Sequence, residues 1–98
     1  MLLTILEATV APERADDLQA AFTKAESQRP PGLVHTHLIR ATAEATRWRI
    51  QTLWASRAAL DAMRSAGTPA GVLMFRAAGA EPALSVYEVV ATIPSTAA

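Results

Sequence analysis

Trp48-Arg49-Ile50-Gln51-Thr52-Leu53-Trp54-Ala55-Ser56-Arg57-Ala58-Ala59-Leu60-Asp61-Ala62 holds the junction on which the fold turns. Through Ala55 the period is two: Trp48, Ile50, Thr52 and Trp54 share one face of an extended chain, while Arg47, Arg49 and Gln51 share the other. Ser56 then offers a hydroxyl to cap a helix. Beyond it the period lengthens, with Leu60 and Met63 marking one helical stripe. A strand over 47–55 thus passes directly into a helix that Gly67 ends.

Upstream, Leu33 to Ala41 reads as a further strand, and the short link 42–46 makes the two an antiparallel hairpin. Pro30-Pro31-Gly32 separates that hairpin from a helix with Pro12 in its first turn, Glu13, Asp16 and Asp17 at its positive end, and an apolar stripe of Ala15, Leu18, Phe22 and Ala25. Leu2 to Val10 reads as the first strand. Downstream, Thr68-Pro69 starts a short helix to Ala78 with Val72 and Phe75 inward, and Ala83 to Ile93 reads as the last strand. The order β-α-β-β-α-β, with the short extra helix, is the ferredoxin-like α+β pattern. Right-handed crossovers then place the helices on one face of a four-stranded antiparallel sheet. Residues 1–94 make one domain and 95–98 a frayed tail.

Composition narrows the function classes. With 51% hydrophobic residues, 18% charged residues and a net charge of +0, the chain is neither disordered nor a basic nucleic-acid binder. It has no cysteine, so disulfides, thiolate metal sites and a cysteine nucleophile are excluded. No apolar stretch reaches a membrane span, and Glu7 interrupts the first apolar run, so the expected compartment is the cytoplasm. No phosphate loop or dinucleotide fingerprint is present. The expectation is no cofactor and no metal.

The outer strands carry apolar residues on both faces: Leu2, Leu6 and Val10 against Leu3 and Ile5 in the first, and Leu84, Val86 and Val90 against Tyr87 and Val89 in the last. Two helices cover only one face. A second copy of the chain is the simplest cover for the other, so a homodimer is expected.

The run from Trp48 to Ala62 resembles the signature of the antibiotic biosynthesis monooxygenase domains, where a strand ends in Trp, a short Ser-containing turn follows, and a helix opens on an Ala-Leu-like pair. The Pro-Pro-Gly-Leu break, the length and the element order are similar too. The resemblance implies a dimeric α+β barrel with a pocket between each sheet and its helices. It also implies activities such as cofactor-free oxygenation of quinols and anthrones, or haem degradation. Thr52 and Met63 stand where many members carry a Glu and a His.

Trp54 is either the aromatic wall of a ligand pocket or core packing. Met63, Phe75, Trp48 and Thr52 join it as candidate ligand-binding residues. His35 and His37, two apart on one strand, point to the same face and are candidates for proton transfer near neutral pH. The alternatives for them are ordinary strand histidines or two ligands of a metal site that would need a third. Glu7 is a candidate base or the partner of Arg47 or Arg49. The function expected is a cofactor-independent monooxygenase of small electron-rich aromatics of the quinol or anthrone type. The alternative is a non-catalytic dimeric protein that binds a small apolar ligand.

Overall fold

The computed structural model describes residues 1–94; the expected frayed tail lies outside the described residues. Its elements are β1 (Leu2–Thr9), α1 (Ala15–Lys24), β2 (Leu33–Arg40), β3 (Arg47–Trp54), α2 (Arg57–Ser65), α3 (Ala70–Ala77) and β4 (Ala83–Glu88). Short 3₁₀ turns over Pro12–Arg14 and Ala25–Gln28 flank α1. The sheet order is β2-β3-β1-β4, with every neighbouring pair antiparallel. This is the ferredoxin-like fold expected from the order of elements.

Local chemistry explains the boundaries. Ser56 caps α2, its hydroxyl accepting the Ala59 N–H at 3.1 Å. Gly32 turns the chain into β2 at a φ of +83°, where a side chain is strained. A Cβ there would also collide with Ala59 on α2. Arg14 donates to the carbonyl of Ala77 at the end of α3 and pairs with Asp17, fastening the start of α1 to α3.

β4 is shorter than the strand expected over 83–93. Its pairing with β1 runs out: Glu88 lies opposite Leu2, the first residue of β1. The N–H of Val89 still reaches the carbonyl of Met1 at 3.0 Å, and beyond it no neighbouring strand remains. Val90 and Ile93 are therefore left 90% and 97% exposed.

The core lies between the sheet and the helices, in two parts. The larger joins Leu6, Ala8 and Val10 of the first strand region, Trp48 and Ile50 of β3, Leu18 of α1 and Phe75 of α3. The smaller joins Leu2, Trp54 and Leu60, with Leu33, Ala59 and Met63 packed against it. On the sheet, the residues between the two parts are threonines.

Candidate functional site

A cavity of about 440 Å³ opens where the core divides, within the size range of small-ligand sites. Its floor is the helix-covered face of the sheet: Thr4 and Leu6 of β1, Ile50, Thr52 and Trp54 of β3, and Leu33 and Thr36 of β2. Phe22 of α1, Met63 of α2 and Gly71 and Met74 of α3 form its helical walls. Gly71 leaves room there, since a Cβ on it would stand 2.7 Å from Leu6 Cδ1. Glu26, Gln28 and Arg29, from the 3₁₀ turn and the residue after it, line the mouth.

Register fixes which side chains share this floor. Thr36, Thr52 and Thr4 are direct cross-strand partners on β2, β3 and β1, and partners share a face. Thr36 and Thr52 hydroxyls lie 2.9 Å apart. Trp54, 3% exposed, donates its indole N–H to the Thr4 hydroxyl at 3.1 Å. Trp54 is therefore both core and cavity wall, its polar edge satisfied and its ring held in one orientation.

The same register separates the other candidates from the cavity. A bulge at Val34 lets Leu33 pair with Trp54 while His35 pairs with Leu53. His35 borders the cavity, but Leu53 and Gln51 are the partners of His35 and His37. Both imidazoles thus project from the opposite, open face of the sheet, with ring centroids 5.0 Å apart in an edge-on arrangement. Glu7 shares that open face, bound by Arg49 Nε at 2.8 Å. That hydrogen bond is the main cause holding its carboxyl below the ordinary carboxylate range; burial opposes it, and the positive charges of Arg49 and Arg47 lower it further. Phe75 and Trp48 are packed in the larger core and are not among the lining residues. The guanidinium of Arg40 stacks over the Trp48 ring at 5.2 Å.

Of the residues singled out from sequence, the structure thus brings Trp54, Thr52 and Met63 together. It sets His35, His37 and Glu7 across the sheet from them. Among the described residues, no group of three or more His, Cys, Asp or Glu is placed to hold a metal ion. No described helix is long and apolar enough to cross a membrane. The sequence alone does not mark Thr4, Thr36, Gly71 or Glu26. A threonine in a strand reads as β propensity, and only the register aligns three of them.

Residues 1–68 match the family model for antibiotic biosynthesis monooxygenase. The chain belongs to the antibiotic biosynthesis monooxygenase family. Solved structures agree on the fold of this family. A protein of Deinococcus radiodurans ascribed to it superimposes with a TM-score of 0.74 at 12% identity, covering 99% of this chain and 100% of that one. SnoaB, a cofactor-independent oxygenase from Streptomyces nogalater, gives 0.71 at 17% identity, covering 96% and 97%. A Caulobacter crescentus protein ascribed to the same family gives 0.66 at 20% identity, covering 92% and 91%. No curated protein matches the chain.

Proposed function

We propose that this family member is a cofactor-independent monooxygenase of small electron-rich aromatics of the quinol or anthrone type, with the cavity between sheet and helices as its active site. The observation that carries the reading is the cavity itself. Its inner wall is apolar apart from threonine hydroxyls and includes an oriented Trp54, and it is large enough for a two- or three-ring aromatic. The fold likeness to SnoaB, named as a cofactor-independent oxygenase, supports it.

In such chemistry the protein binds the aromatic, takes a proton from it and shields the anion from water. The anion reduces dioxygen, and for an anthrone the balance is CH₂ + O₂ → C=O + H₂O. The proton acceptor is Glu26, the one carboxylate among the residues lining the cavity. The histidines expected for this step face the other side of the sheet. An oxygen electrode with anthrone and a panel of quinols tests this. Glu26→Gln is expected to cut uptake at least tenfold, since general-base assistance contributes about 10²–10⁴. The His35→Ala, His37→Ala double variant is expected to stay within twofold. The reverse pattern would return the proton to the histidines, and no uptake with any substrate would overturn the oxygenase reading. One observation favours the alternative of a binding protein: the cavity's titratable groups are at or near its mouth, and the inner wall is apolar or hydroxylic.

The proposal includes a second copy of the chain. The open face carries Leu3, Ile5 and Leu53, all partly exposed, beside Tyr87 at 53%. A homodimer in which two such faces meet buries them and encloses the histidine pair in the seam.

A further inference from the structure

We propose that Thr36, Thr52 and Thr4 form an oxygen-recognition row that selects an aromatic ligand carrying a phenolic or quinoid oxygen over a plain hydrocarbon. The assignment rests on the cavity being the ligand site proposed above.

The three residues cross the sheet in a straight line through β2, β3 and β1, one per strand, and all line the cavity. On either side the floor turns apolar, with Leu6 and Ile50 in one direction and Leu2 and Trp54 in the other. Polar groups thus occupy a single stripe at the point where the two halves of the core part. Thr4 and Thr52 are 8% and 7% exposed.

Proton counting gives the row its chemistry. A threonine hydroxyl has one proton to donate. The Thr36–Thr52 contact consumes one of two. Thr4 accepts from the Trp54 indole, so its own proton is not used in that bond. No other side-chain hydrogen bond among the described residues takes either remaining proton. Two hydroxyl protons therefore stand available along an otherwise apolar floor. The complement to two donors is an acceptor oxygen, and a phenolate benefits most because bonds to charged acceptors are the stronger ones. A hydrocarbon ring would cover the same hydroxyls and leave them unpaired, which disfavours it. The row would thus orient a quinol or anthrone oxygen and stabilise the anion formed when its proton leaves.

Isothermal titration with 2-naphthol and naphthalene tests the row without turnover. Wild type is expected to bind 2-naphthol about tenfold tighter than naphthalene, the scale of one or two hydrogen bonds. The Thr36→Val, Thr52→Val double variant is expected to lose most of that preference while naphthalene affinity is held or improved. Thr4→Val is read the same way through the other donor. Thr52→Ser keeps the hydroxyl and is expected to keep the preference, which separates hydroxyl chemistry from a packing defect. Equal affinity of the wild type for both compounds, or a full preference surviving in the valine variants, would overturn the row and leave the cavity standing. Binding of neither compound by wild type would overturn the cavity as the ligand site, and the row with it.

Discussion

Trp54 joins structure to function at the scale of one residue. Its ring closes the smaller core and walls the cavity, while its N–H satisfies Thr4. Trp54→Phe keeps an aromatic and deletes that donor. It is expected to cost about 1–3 kcal/mol in chemical denaturation, from a lost buried hydrogen bond and lost volume, and to loosen aromatic binding in the same protein. Gly32 is a second such position. Gly32→Ala forces a strained positive φ and presses a methyl on Ala59, so a loss of at least about 1–3 kcal/mol is expected in the same measurement.

Elements bring these residues together, and here the sequence was partly legible. The switch of period at Ser56 located the end of β3 and the start of α2, because caps and periodicity are local. Ser56→Ala is accordingly expected to lower stability by about 1 kcal/mol, seen as a lower melting temperature. The alternation in β3 correctly grouped Trp48, Ile50, Thr52 and Trp54. What it withholds is position along the strand: Trp48 sits in the larger core, and Trp54 lines the cavity. Cross-strand register was not legible at all. The bulge at Val34 decides that Leu33 faces the helices while His35 and His37 face away, and a bulge depends on pairing with another strand rather than on its own residues. The end of β4 was overrun for the same reason, since its apolar residues continue past the point where β1 has nothing left to pair.

At the scale of the whole molecule, one sheet presents two faces of different character. The helix-covered face holds the cavity, and the open face is the one proposed to meet a second copy. Ile5→Arg, placed in the middle of the open face, is expected to convert a dimer to monomers in analytical ultracentrifugation, with the monomer less stable; a wild type that sediments as a monomer would contradict the dimer. Acid sensitivity follows from surface pairs. Glu7 and Glu81 are held below the ordinary carboxylate value of 4.5 by hydrogen bonds from Arg49 and Arg76. A depressed folded value means their stabilisation is complete above that ordinary value and fades as the pH falls through the lower, folded one. The Arg76–Glu81 pair is exposed, so its effect is small and shrinks with salt; the Arg49–Glu7 pair lies on the face proposed to meet a second copy. Melting curves from pH 7 to 3 are expected to fall less steeply for Glu7→Gln than for wild type.

In the proposed function the aromatic sits in the cavity over the threonine row. A crystal structure grown with anthrone checks this placement. Ligand density is expected between Trp54, Met63 and Met74, with the anthrone oxygen within hydrogen-bond distance of Thr52, Thr36 or Thr4. Density against His35 and His37 on the open face, or an empty cavity at saturating anthrone, would contradict it.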